Sequence, residues 1–312
     1  MKKLILVLLT LTFFTACDNE PIDSDLLNQD QGGGSDDDGG SDSSDLTLSL
    51  YELDTKVNIS FFGFPLETIT NSDLNITENK INSSTTAASA NNSPFMTENQ
   101  IITRNGSGQI TSDISVNSEG VTTNEYIISY TNGNISQITY DYFEDDEDDY
   151  IYNFTYNGNT INRTEVGSSI STIFTLDGSN RVIKKETFDG EFSIQVENVT
   201  YSASGNITSS TTTGETESTV TYEFDTNVNP LKIVFGDNYT LGFLTDDYSD
   251  EIGPIIAQFH STNNWNGATF NGDAFDFNLQ YNSVGRITQR EMIYNYGEDL
   301  SFEVRERFTY VN

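Results

Sequence analysis

The longest acidic run in the chain, residues 144–149 of "FEDDEDDY", is the first candidate for chemistry. Asp145, Asp146, Asp148 and Asp149 are the side chains that would hold calcium, a hard cation that takes about six to eight oxygens. The run does not follow the DxDxDG spacing with a distal Glu that marks a calcium loop. A solvated loop tip, charged so that sheet edges do not associate, accounts for the same residues and is the preferred reading. A second acidic patch, "LTDDYSDEIG" at 244–253, is read the same way.

The other candidates sit in "AQFHSTNNWNGATFNGDAF", residues 257–275, which holds the only histidine, His260, and the only tryptophan, Trp265, beside Asn264. An exposed indole flanked by amides can stack on the apolar face of a sugar while the amides bond its hydroxyls. The alternative is a segment that caps the fold with Trp265 buried, as irregular units of repeat proteins commonly do. Catalytic constellations are poorly supplied. A Ser-His-Asp triad would have to use His260, and no GxSxG elbow surrounds a serine. A zinc site on one histidine lacks ligands. A carboxylate pair for hydrolysis is a distant alternative, because nothing marks a pair among 48 acids. The chain reads as a non-enzyme.

Cys17 is the single cysteine, so no disulfide forms within the chain. It ends "MKKLILVLLTLTFFTAC", where two lysines precede an apolar run too short to span a bilayer and small residues lead into the cysteine. This resembles the lipobox of bacterial lipoproteins, which implies removal of residues 1–16 and lipidation of Cys17. Residues 17–45 continue as "DSDLLNQDQGGGSDDDGGSDSSD" and its flanks, too polar and too charged to fold. They resemble the acidic tract that follows the lipidated cysteine in Bacteroidetes lipoproteins. The implied place is the outer membrane, at the cell surface or facing the periplasm. A tether of about 28 residues spans roughly 30 Å. Removing Lys2 and Lys3 from 14 basic residues leaves 12 against 48 acidic ones, net −36. Such a surface does not take nucleic acid.

The elements that position these residues are repeated. "ITRNGSGQITSD", "ISYTNGNISQIT", "FTYNGNTINRTE", "FTLDGSNRVIKKE", "VTYSASGNITSST", "YEFDTNVNPLKIV" and "LQYNSVGRITQRE" each place an alternating aromatic or β-branched run before a polar turn and another strand-like run. Gly108, Gly133, Gly158, Asn180, Gly205 and Asn229 fall at spacings of 25, 25, 22, 25 and 24, enough for two strands and two turns per unit. Glycine and asparagine tolerate the positive φ of a hairpin turn. Ile135 falls out of phase with Ile138 and Tyr140, which predicts a bulge or a turn-packing residue. The pattern Y-[ND]-x-x-G-[NR]-[IV]-[TS], closest in "YTNGNISQI", "YSASGNITS" and "YNSVGRITQ", resembles the YD repeat of RHS-type proteins. With the lipobox, the chain resembles Bacteroidetes lipoproteins that carry such repeats.

The expected architecture is all-β: antiparallel hairpins in one twisted, curved sheet or half-barrel. Residues 46–99 form an N-terminal β portion, and 100–312 a repeat body with an insertion near 237–278. The expected function is binding of a glycan or an envelope or host protein through a sheet face, with an accessory role in a periplasmic complex as the alternative.

Overall fold

The computed structural model describes residues 47–61, 64–143, 149–236, 241–245, 250–296 and 300–311. Nineteen strands follow one another: β1 (Leu48–Phe61), β2 (Phe64–Thr77), β3 (Lys80–Ala90), β4 (Met96–Arg104), β5 (Ile110–Asn117), β6 (Thr122–Thr131), β7 (Asn134–Tyr142), β8 (Tyr150–Asn157), β9 (Thr160–Glu165), β10 (Ile170–Leu176), β11 (Val182–Asp189), β12 (Phe192–Tyr201), β13 (Ile207–Gly214), β14 (Ser218–Val228), β15 (Asn263–Phe270), β16 (Asp273–Asp276), β17 (Asn278–Tyr281), β18 (Ile287–Tyr296) and β19 (Leu300–Tyr310). Each pairs antiparallel with its neighbour in sequence except at β16 and β17, and β1 pairs with β19, Leu48 opposite Tyr310. The sheet therefore curls past a half-barrel into a nearly closed barrel. Phe277 interrupts it between β16, which pairs with β15, and β17, which pairs with β18. The N–H of Phe277 donates to the Asn266 carbonyl at 2.8 Å, so the two short strands run as one bent strand.

The repeat motif is a turn. In five hairpins an Asn, Asp or Ser opens the turn, its N–H donates to the carbonyl four residues on, and a later glycine or asparagine N–H returns to its own carbonyl: Asn105, Asn117, Asp177, Ser202 and Asn282. The side-chain oxygens of Asn105, Asp177 and Asn282 also accept from N–H groups two and four residues on. This is why the motif needs a short oxygen-bearing side chain, and Gly108 at φ 84° and Gly205 at φ 87° close it. Ile135 marks a bulge: Tyr130 pairs with Ile135 and Ser129 with Gln137, which turns the Ile135 side chain fully inward. Asn229 departs from the expected role. It opens a helical segment, donating from Nδ2 to the Gln258 and Ser261 carbonyls and accepting from the Leu231 N–H.

Alternation along the strands separates an apolar inside from a polar outside. On β1, Tyr51, Leu53 and Val57 are buried while Glu52, Asp54 and Lys56 face out; on β19, Phe302, Val304 and Phe308 are buried while Glu303, Arg305 and Arg307 face out. Each buried aromatic or aliphatic side chain contributes roughly 1.5–3 kcal/mol. A one-residue slip would exchange the two sets, so the register is tightly specified. The segment between β14 and β15 fills the interior. It contains α1 (Leu231–Val234), α2 (Leu241–Leu244), α3 (Ile252–Ile255) and a wide π-helical turn (Ile256–His260), with Leu231, Leu241, Ile252 and Ile256 fully buried. Helices of four residues are too short to show a helical stripe in the sequence.

Candidate binding pocket

The helical plug is held from the barrel wall by polar side chains. Arg163 on β9 donates to the Leu244 carbonyl at 3.1 Å, and Lys185 on β11 donates to the Asp250 carbonyl at 2.8 Å. Glu197 on β12, opposite Lys185 in register, accepts from the Ile252 and Gly253 N–H groups at 2.6 and 2.9 Å. Burial, and then the nearby Glu251 carboxylate, push the Glu197 carboxyl up to about 8, against the two N–H donors and Lys185. Beyond α3, Gln258 donates from Nε2 to Tyr51 Oη at 3.1 Å and to Glu306 Oε1 at 2.9 Å.

Between this plug and strands β14–β19 lies a cavity of about 70 Å³. Its walls are aromatic: Trp265 stands 4.7 Å from Phe277, ring centre to ring centre, and 5.9 Å from Tyr222, and Phe275 stands 6.1 Å from Tyr294. Glu251, Gln258 and Glu306 lie among the lining residues, as does Asp273, the first residue of β16. Three polar groups of this wall are committed inward. Trp265 Nε1 donates to the Gly267 carbonyl at 2.8 Å, Tyr222 shares a hydrogen bond with Ser210 at 3.0 Å, and Gln258 Nε2 is taken as above. Two acceptors are not: Glu251 Oε2 and Gln258 Oε1 are buried without a hydrogen-bond partner.

The cavity lies toward one rim. The β15–β16 turn and the facing ends of β18 and β19 are there, together with Glu119, Asp149, Glu165, Glu191, Glu215 and Glu217 at the neighbouring strand ends and loops. The opposite rim carries the repeat turns, Lys80, Arg104, Arg181 and Arg286, and both ends of the closed sheet, Leu48 and Tyr310. Residues 1–46 therefore join the barrel at the rim away from the cavity.

The candidate residues of the sequence fall in different places. Trp265 is 5% exposed and its indole forms a wall of the interior cavity rather than part of an outer face. Asn264 is buried, donating to Asp225 from its N–H at 3.1 Å and from Nδ2 at 3.3 Å. His260 is half-buried against Phe243, ring centres 5.6 Å apart, and burial followed by the charge of Lys232 lowers it to about 3. Asp149 Oδ1 accepts from the Tyr142 N–H at 2.7 Å. Cys17, Asp145, Asp146 and Asp148 lie outside the described residues. Among the described residues, no group of three or more His, Cys, Asp or Glu is disposed to hold a metal. Sequence reading placed Glu251 in a solvated acidic patch and did not single out Gln258, Phe275, Phe277 or Glu306. For Glu306 a signal existed: it falls in the buried phase of "LSFEVRERFTY", with Phe302, Val304 and Phe308.

No protein-family model and no curated protein matches the chain. Among solved structures, it is similar to a porin-like protein from Bacteroides uniformis at 9% identity and TM-score 0.45, covering 84% of this chain and 96% of that one. It is also similar to a porin-like protein from Bacteroides vulgatus at 12% identity and TM-score 0.23, covering 85% and 98%. A third likeness is to TcdB2-TccC3-TEV, at 11% identity and TM-score 0.29, covering 76% of this chain and 16% of that one. Likeness at this level does not bear on function.

Proposed function

We infer that the protein is a non-enzymatic binding protein of the bacterial envelope, carried on a lipid at Cys17, which presents a ligand pocket at the barrel rim farthest from its anchor. One observation carries this reading: the aromatic cavity lies toward one rim, and the chain leading to Cys17 joins the other. The barrel wall supports a water-facing body. A barrel that spans a membrane carries an apolar band outside, whereas here Glu52, Asp54, Lys56, Glu303, Arg305 and Arg307 occupy the outer face of the seam and Tyr51, Leu53, Val57, Phe302, Val304 and Phe308 of the same strands point in. Lysine or arginine at the middle of a lipid-facing wall costs about 2–4 kcal/mol each. The lipobox supports the anchor, and the long acidic tether supports a body that stands off the membrane.

The test is protease shaving of intact cells alongside radiolabelled palmitate incorporation, in the unaltered chain and in Cys17→Ser. Label that requires Cys17, with a body digested on intact cells while a periplasmic control survives, is the expected result. Label independent of Cys17 would remove the anchor, and a protected body would turn the pocket toward the periplasm.

A further inference from the structure

The turns of the two rims differ in what they expose. On the rim away from the cavity they read "NGSGQ" at 105–109, "NG" at 132–133, "GN" at 158–159 and "SASGN" at 202–206, small and polar residues that a tight reversal favours. On the cavity rim, five successive hairpins, from β3–β4 to β11–β12, each carry a bulky apolar side chain at or beside the turn: Met96, Val121, Phe143, Val166 and Phe192. Each is more than half exposed, Phe192 at 79%. None belongs to the apolar core, and a tight reversal has no need of phenylalanine or methionine. Val284 is exposed on the other rim, but beside Arg286.

The charge among these side chains has one sign. Glu119, Asp149, Glu165, Glu191, Glu215 and Glu217 stand at the same turns and the next. No lysine or arginine occurs in the segments joining β3 to β4, β5 to β6, β7 to β8, β9 to β10, β11 to β12 or β13 to β14. Carboxylates alone would serve solubility. Exposed phenylalanine and methionine work against it, and apolar side chains gathered on a surface and edged by polar ones mark a place where another molecule sits. Strands lie about 4.8 Å apart, so successive hairpins are spaced by about 10 Å and the five side chains follow the rim for roughly 40 Å. That reach suits a macromolecule.

Charge selects among macromolecules. A second copy would bring the same acidic rim, and an anionic lipid surface the same sign of charge, so both are repelled. Aromatic residues and methionine are enriched where proteins meet, and complementary charge steers their encounter. We propose that the cavity rim docks a cationic polypeptide surface, its apolar side chains on Met96, Val121, Phe143, Val166 and Phe192 and its lysines and arginines among the acidic turns. The contact is made by the turns and does not require the cavity to be filled.

A fluorescein-labelled peptide of lysine and leucine in equal numbers, about 20 residues and so about 30 Å long if helical, is the probe. It should bind the purified full chain saturably. Exchanging its leucines for serine, or its lysines for glutamate, should weaken binding at least about tenfold, the scale of a hot-spot contact. Phe143→Ser combined with Phe192→Ser should weaken the original peptide by the same factor and leave the melting temperature unchanged. Val284→Ser, on the other rim, should alter binding less than about twofold. If the double variant is unstable, Val121→Ser with Val166→Ser decides by the same criterion. Equal binding of the leucine and serine peptides would reduce the effect to bulk charge and overturn the docking surface. Undiminished binding to the rim variants, or no saturable binding to the unaltered chain, would overturn it as well. A dimer in sedimentation that the rim variants dissolve would replace the cationic partner by a second copy. The assay is made in solution, so its failure leaves the anchor and the orientation of the body to the shaving experiment above.

Discussion

Arg290 on β18 and Glu306 on β19 stand opposite each other inside the barrel, each about 1% exposed, and the guanidinium donates from Nε and Nη2 to both carboxylate oxygens. The pair is the hub of a larger network. Tyr51 and Gln258 donate to the same carboxylate, and Arg290 Nη1 reaches the Trp265 carbonyl at 3.4 Å. It joins the barrel seam, where β1 meets β19, to the plug and to the pocket wall.

Removing one member of a buried pair strands the other charge, at a cost of about 3–5 kcal/mol. Arg290→Met should therefore lower unfolding stability by that amount in urea titrations. Arg305→Met is the control. Arg305 pairs with Glu291 on the outer face and its side chain is 56% exposed, and exposed pairs contribute about 0–1 kcal/mol. Equal losses in the two variants would mean that Arg290 is not held in the buried pair.

Glu197 and His260 give the plug opposite pH dependences. Glu197 is raised to about 8 from 4.5, so between those values the folded chain holds a proton that the unfolded chain has lost, and stability falls as pH rises through that window. His260 is lowered to about 3 from 6.5, so in that window the unfolded chain binds the extra proton, and stability falls as pH drops. The two offset between about 4.5 and 6.5, which predicts a melting-temperature plateau there with declines on both sides. Melting curves from acid to alkaline pH should show it. Glu197→Gln should flatten the alkaline decline, and His260→Asn the acid one. Unchanged slopes in these variants would assign the pH dependence to other groups.

Trp265 is both a pocket wall and a packed core side chain. Truncating a buried aromatic costs about 3–5 kcal/mol, so Trp265→Ala should lose stability as well as any ligand response, whereas Trp265→Phe should keep most of the stability. The unaltered chain should emit at the short wavelengths of an indole shielded from water. An Ala variant with an unchanged melting temperature would place the indole at an outer surface.

The hairpins were legible because their determinants are local. An oxygen side chain such as Asn105 or Asp177, a Gly or Asn three residues on and alternating apolar positions specify a bulged hairpin within a dozen residues. Closure of the sheet was not legible, since it rests on β1 meeting β19, about 250 residues apart, through pairs such as Thr55 with Val304. Nor was the plug, whose four-residue helices gain their stability from barrel side chains such as Arg163, Lys185 and Glu197. Trp265 could be singled out by type, but its neighbours Glu251, Gln258 and Phe277 come together only through the return of the plug into the barrel.

The outer wall makes the last prediction. Thr211, Thr213, Thr219, Thr221 and Glu223 on β13 and β14 point away from the core, as do Glu52, Asp54, Arg305 and Arg307 at the seam. Such a surface is solvated readily and gains nothing from lipid. The sheet from β1 to β19 encloses most of its apolar side chains, so residues 47–312 made alone should be water-soluble without detergent. They should not float with phospholipid vesicles in a density gradient, whereas the lipidated full chain should. A body that requires detergent to remain in solution, or that floats without the lipid, would mean that the outer face described here meets a membrane, and would overturn the water-facing barrel.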